Sequence, residues 1–170
     1  MRTHHARVSR APAEALWQAA RSVEVRETVS LRPLIAWRLG AHAPRGEEPF
    51  SAVFARHPFH LLAEDGWVTV SGLGGKLWSL RGDYATFGSP AEFRAWAPGG
   101  TCKVALRHEV REHPRGAEIV SEARVWCTSP GAWRRFRPYW AVVGPFSRFI
   151  GGELLSAAVR RAERTSSATA

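Results

Sequence analysis

A strand that runs straight into a long helix constrains this chain more than any other feature. Apolar and polar residues alternate from Ala117 to Cys127, and Ser129-Pro130 marks a turn. Beyond it Trp133, Phe136, Trp140, Val143, Ser147, Ile150, Leu154 and Ala157 recur at steps of three and four. On a helical turn that spacing forms one continuous stripe, ending near Arg164, which must rest on an apolar surface. Thr128 or Ser129 can cap the helix, and Pro130 fits its first turn, where no amide hydrogen is needed. Pro138 and Pro145 sit deeper. Each removes an internal hydrogen bond and clashes one turn back, which predicts a bend or break. With Gly144, Gly151 and Gly152 nearby, these breakers predict open space beneath the aromatic first half of the helix and tight packing through Leu154 and Ala157.

The surface for that stripe is legible just upstream. Two strands flank His113-Pro114-Arg115-Gly116, and a tight turn there pairs His113 with Gly116. On one face this register sets Arg111 opposite Glu118, Arg107 opposite Glu122 and Lys103 opposite Trp126, giving two opposite-charge pairs and a cation–π contact. The other face pairs Val110 with Ile119, Leu106 with Ala123, Val104 with Val125 and Cys102 with Cys127. A slip of one residue would mix the two faces. One polar pair interrupts the apolar face, His108 opposite Ser121. His108 is either a core histidine bonded to Ser121 or a carbonyl, or else a ligand anchor or proton-transfer group in an apolar cavity. Cys102 and Cys127 read as adjacent reduced thiols, as suits a cytoplasmic protein.

Elsewhere the chain reads as short elements. Thr3 to Val8 is a strand, and Ala11-Pro12-Ala13-Glu14 opens a helix through Ala20. Leu31, Leu34, Ile35 and Leu39 predict a second short helix that stops at Gly40. Phe50 to Arg56, Phe59 to Ala63, Trp67 to Ser71 and Trp78 to Thr86 read as strands, with a hairpin at Glu64-Asp65-Gly66. Ser89 to Trp96 fits either a turn of helix or an extended connection. Gly72-Leu73-Gly74-Gly75-Lys76 lacks the hydroxyl residue and the upstream glycine of a phosphate-binding loop, so its glycines predict a bend or bulge. Residues 165–170 have no apolar anchor and read as a disordered tail beyond a single domain spanning 1–164.

Length and charge narrow the function classes. With 170 residues the chain suffices for one domain with a core and a cavity. Basic residues outnumber acidic ones 24 to 15, but only Lys76 and Lys103 are lysines, and the arginines are scattered. A nucleic-acid footprint would be a clustered stripe, so no specific nucleic-acid partner is expected. The densest groups, Arg134, Arg135 and Arg137 and then Arg160, Arg161 and Arg164, read as solvated helix faces, with peripheral contact to an anionic membrane as the functional alternative. No run is long enough to span a membrane and no signal peptide is evident, which predicts a soluble cytoplasmic protein. His57 with His60, and His4 with His5, fall short of a metal site, and no cofactor or metal is expected.

The order strand, two helices, antiparallel strands and one long C-terminal helix resembles the START-like, or helix-grip, superfamily. Val8 to Ala20, with Arg10-Ala11-Pro12-Ala13-Glu14-Ala15-Leu16-Trp17, is similar to the first strand and helix of its members, which include lipid-transfer domains, plant allergens and bacterial polyketide cyclases. Glu122-Ala123-Arg124-Val125, then Arg134-Arg135-Phe136, Tyr139-Trp140 and Pro145-Phe146-Ser147, looks like an uncharacterised bacterial branch; Phe59, Leu62, Gly72, Gly75 and Trp78 fit its middle. Ala123 replaces a threonine and Gly151 a frequent basic residue of that branch. The resemblance implies an α+β fold in which a curved antiparallel sheet of six or seven strands grips the long helix, with two short helices after the first strand. It also implies an elongated cavity between sheet and helix for a hydrophobic or amphipathic small molecule.

Three functions follow as expectations. The first is binding or transport of a hydrophobic small molecule or lipid, with Trp133, Phe136, Trp140, Trp78 and Trp96 around an apolar pocket and His108, Ser121 and Ser147 as polar anchors. The second is a cyclase or dehydratase using His108 as acid or base, although no second titratable residue stands beside it in this reading. The third is a membrane-surface or partner-binding module using the arginines of the last helix.

Overall fold

The structure, a computed structural model, describes residues 1–24, 27, 47–79 and 83–169; of Phe50, Phe146, Ser147, Ile150 and Thr169 only the backbone is described. The helix expected from Leu31 to Leu39 lies outside the described residues. The elements are β1 (Arg2–Ser9), α1 (Ala13–Ser22), α2 (Phe50–Ala55), β2 (His60–Asp65), β3 (Val68–Gly75), α3 (Pro90–Ala95), β4 (Cys102–His113), β5 (Gly116–Cys127) and α4 (Pro130–Thr169).

The strands form one antiparallel sheet in the order β1-β5-β4-β3-β2. Its register between β4 and β5 is the one set by the His113–Gly116 turn, from that pair down to Cys102 opposite Cys127. The two cysteines are joined in a disulfide, contrary to the expectation of free thiols. Opposed positions on neighbouring strands bring two such side chains into bonding range, and that proximity outweighs the compartment argument made from composition.

The α+β class is as expected, but among the described residues the sheet has five strands rather than six or seven and is not strongly curled. Two segments account for the difference. Phe50–Ala55 is helical: Val53 and Phe54 follow Phe50 at helical spacing, Pro49 enters the first turn, and Val53 is buried in the core. The stretch after Leu77 forms a turn, and beyond residues 80–82 only Tyr84 bridges to Gly75. Ser89–Trp96 takes its helical alternative, with the Ser89 hydroxyl accepting from the Glu92 amide at 3.1 Å.

α3 and the chain before it cover one end of the sheet's outer face. The glycines of β3 allow this, since a Cβ on Gly72 would lie 2.7 Å from the Phe93 ring and one on Gly74 2.7 Å from Phe87. Lys103 meets this cover rather than Trp126. Its Nζ donates to the carbonyls of Phe93, Arg94 and Trp96 at 2.7–3.0 Å, where cationic donors suit a helix end. The remaining outer charges also pair differently from the expected cross-strand partners. Arg107 and Arg111 both bind Glu109, and Arg2 and Arg124 both bind Glu122.

The inner face carries α1 and α4 over two apolar clusters. One gathers Leu16, Trp17, Val23, Val110, Ile119, Leu155 and Ala158; the other gathers Leu73, Leu77, Cys102, Val125, Ala132 and Phe136. α4 starts over the second and ends over the first. It continues through Pro138 and Pro145 without a break and runs to Thr169, where a disordered tail was expected. Both prolines are exposed, so the carbonyls that lose their amide partners lie on the side water can reach, and the missing bonds are cheaply replaced. Gly144 is equally specific. It is buried, and a Cβ there would lie 2.9 Å from Nε1 of Trp140, whose indole lies across it and stacks on Phe136 at 5.6 Å.

Candidate functional site

The register places five polar side chains in one row across the inner face: Glu64 on β2, Thr69 on β3, His108 on β4, Ser121 on β5 and His5 on β1. The row crosses between the two apolar clusters. β3 is the strand to notice. Its alternation Val68-Thr69-Val70-Ser71 would ordinarily turn the valines inward, yet Val68 and Val70 stand opposite Glu109 and Arg107 on the outer face, and Thr69 and Ser71 point inward. Ser71 is only 2% exposed. A strand that reverses the usual binary pattern puts polar atoms where the fold alone would call for apolar ones.

Those inward groups face a cavity of about 320 Å³ between α1, α2, the sheet and the C-terminal half of α4. Trp17, Phe54, Ile119, Leu154, Leu155 and Ala158 supply apolar walls, while Thr69, Ser71 and His108 lie on its floor. At the rim Arg21 is ion-paired with Glu64, and the guanidinium lies 6.0 Å from the centre of the Trp17 ring.

His108 is partly buried and lines this cavity; its ring lies 5.1 Å from that of Phe54. Burial pushes its pKa down to about 4, so the imidazole is neutral at pH 7. Neither its ring nor the hydroxyls of Thr69, Ser71 and Ser121 form a hydrogen bond among the described residues. A neutral imidazole offers one donor and one acceptor, and a hydroxyl can serve as either. The cavity therefore presents unpartnered, uncharged hydrogen-bonding groups on an apolar background. No carboxylate contacts His108 among the described residues, since the Glu64 carboxylate is taken up by Arg21.

The structure distributes the expected site residues over several places. His108 lines the cavity, and Ser121 is its neighbour in the sheet, 8% exposed. Phe136 is sealed in the second cluster at 1% exposure, with Trp140 and Trp78 packed against it. Trp133 is at the surface, and Trp96 is on the outer face, edge-on to Phe87 at 5.5 Å. Ser147 lies on α4, its side chain outside the description. The cavity thus lies under the aliphatic half of α4, where tight packing was expected. Aromatic rings fill volume efficiently when they can stack, whereas leucine and alanine over a polar strand leave a gap.

Trp17, Phe54, Thr69, Ser71 and Leu154 were not foreseen as site residues. A signal for Thr69 and Ser71 existed in the β3–β4 register, which turns them toward His108, but the chain does not show that register without a readable turn between these strands.

Among the described residues no three metal-ligating side chains cluster, and no helix is long and apolar enough to cross a membrane. No protein-family model and no curated protein matches the chain. Among solved structures it is similar to protein MLL2253 from Mesorhizobium loti, at 13% identity over 97% of this chain and 98% of that one, with a TM-score of 0.43. It is also similar to TTHA0849 from Thermus thermophilus, at 12% identity over 98% and 99% of the two chains, with a TM-score of 0.39.

Proposed function

We propose that this chain is a helix-grip protein of the START-like kind that binds a small, largely apolar molecule whose buried end is uncharged and hydrogen-bonding. The order of elements and the sequence stretches around Trp17 and Phe136 support the kinship. The binding reading is carried by one observation: the inward side chains of Thr69, Ser71 and His108 have no hydrogen-bond partner among the described residues and open into an apolar cavity. Buried polar groups left unpaired cost stability, so a site that holds three of them together gains from a ligand that satisfies them. A carboxylate at that depth would meet a neutral imidazole and, among the described residues, no free cation, so an alcohol, phenol, ketone or quinone fits better than a fatty acid.

Mass spectrometry of organic extracts from the purified protein tests this directly, with an uncharged apolar compound as the expected content. Quenching of tryptophan fluorescence on titration with 1-naphthol and with 1-naphthoate extends the test to added ligands. The expected order is naphthol tighter than naphthoate, with Ala55→Trp at the cavity rim blocking both. An empty extract together with no quenching by either compound would end the proposal.

A further inference from the structure

The first half of α4 turns an uncommon face to solvent. Residues seven apart on a helix stand nearly in one column, and three columns face outward here: Arg134, Ala141 and Arg148; Pro138 and Pro145; Arg135, Val142 and Phe149. All are exposed, Val142 to 63% and Phe149 to 52%. The solvent face of a packed helix ordinarily mixes polar residues with both signs of charge. This one has an apolar ridge between arginines, and from Ala123 through Gly152 the sequence has no acidic residue. Arg134, Arg135, Arg137 and Arg148 form no ion pair among the described residues, whereas Arg21, Arg56 and Arg161 each bind a glutamate.

We propose that this face docks on an anionic bilayer surface, with Val142 and Phe149 entering the interface between arginines that meet lipid phosphates. The argument is charge complementarity joined to an apolar ridge. An interfacial helix needs both, since cations alone give only a screened attraction and a few apolar side chains alone give weak partitioning. A second copy of the chain is a poorer fit, because a two-fold contact would set this acid-free arginine face against itself. Nucleic acid would engage the arginines but has no use for exposed Val142 and Phe149 between them. Val142 and Phe149 are exposed and line no part of the cavity, while Arg148 on the flank of α4 lies near His5 of β1, so occupation of the face does not require the cavity or its ligand.

Co-sedimentation of the full chain with vesicles tests the proposal, using phosphatidylcholine alone and an equimolar mixture with phosphatidylglycerol, each at low and high salt. Binding is expected to the mixed vesicles at low salt only. Loss of each arginine to glutamine should weaken binding by roughly fivefold. Val142→Ser and Phe149→Ser, both at exposed sites that should leave the circular dichroism spectrum unchanged, should each weaken it further. Absence of binding to mixed vesicles at low salt would overturn the proposal. So would equal binding by the wild type and the two serine variants, which would leave the ridge without a role. A concentration-dependent dimer abolished by Phe149→Ser, or tight binding to duplex DNA, in either case without vesicle binding, would reassign the face to that partner.

Discussion

The two halves of α4 solve the same problem, covering one face of one sheet, with opposite materials and opposite results. Over the Cys102 end, Phe136 and Trp140 stack nearly parallel against Leu73, Leu77 and Val125, and Phe136 is left 1% exposed. Over the Val110 end, Leu154, Leu155 and Ala158 meet the sheet beside a cavity whose floor is polar. Bulk in the side chains therefore closes space rather than opening it. What opens space is the sheet itself, where Thr69, Ser71 and His108 occupy positions that apolar residues would otherwise fill. The lesson concerns where to look for a cavity in such a fold: at the polar interruption of the inner face, rather than at the largest aromatics above it.

Truncating each half should give the largest contrast. Phe136→Ala removes a ring enclosed on all sides and is expected to cost about 3–5 kcal/mol in urea unfolding. Leu154→Ala removes a side chain that already borders open volume, and its cost should fall near 2 kcal/mol, at the low end for buried leucine. Equal losses would mean that both halves are packed alike and would break the comparison.

The next effect concerns the cavity floor. His108 has its pKa pushed to about 4 in the folded chain against 6.5 when unfolded, so between those values only the unfolded chain takes up the proton. The stability is fully present above the unfolded value and is lost as the pH falls toward 4, by about 3 kcal/mol once both states are protonated. His5, at the other end of the polar row, is lowered chiefly by burial and acts in the same direction. His108→Leu should flatten most of the decline between pH 7 and 5 in a series of unfolding curves, leaving the smaller share of His5 and, toward pH 4, that of the arginine-bound Glu109 and Glu122, whose pKa values are lowered. A variant whose decline matched that of the parent would place His108 in contact with water rather than in an enclosed site.

How much of this was legible follows the same division. The β4–β5 register could be read because a four-residue turn fixed it and because its two faces differ in polarity; every pairing from Cys102 opposite Cys127 to His113 opposite Gly116 matches that reading. The start of α4 was equally plain from Ser129-Pro130. Phe50–Ala55 reads as a strand because a short apolar run has no period long enough to separate strand from helix, and tertiary packing of Val53 decided it. The cavity was misplaced because its position depends on β3, whose facing is set by hydrogen bonds to β4 across a long connection. His108 alone was recoverable, since its own hairpin sets it inward. The disulfide shows the same logic: proximity was deducible, bonding was not.

Smaller effects probe the two ends of the helix cover. At the start of α4, Ser129 Oγ accepts from the Ala132 amide at 3.2 Å and from the Gly100 amide at 3.3 Å. Ser129→Ala should cost about 1 kcal/mol, as for a typical N-cap, measured by thermal or urea unfolding. A loss below about 0.3 kcal/mol would mean that water replaces the hydroxyl and that the aromatic half is held by its rings alone.

At the cavity rim the expected change in stability is smallest and the expected change in exchange is the informative one. Arg21 and Glu64 are 48% and 37% exposed, so their ion pair is screened and worth about 0.5 kcal/mol or less. Yet the pair closes the space between α1 and β2, with the arginine also lying over Trp17 and its carbonyl accepting from Ser51 Oγ at 2.7 Å. Arg21→Gln removes the pair and leaves the backbone contact. Unfolding should move little, while a cavity ligand followed by stopped-flow quenching of tryptophan should dissociate faster, because the rim no longer has to part a charge pair. If instead the substitution cost more than about 2 kcal/mol, the rim would belong to the packed core, and the two halves of α4 would differ far less than their side chains suggest.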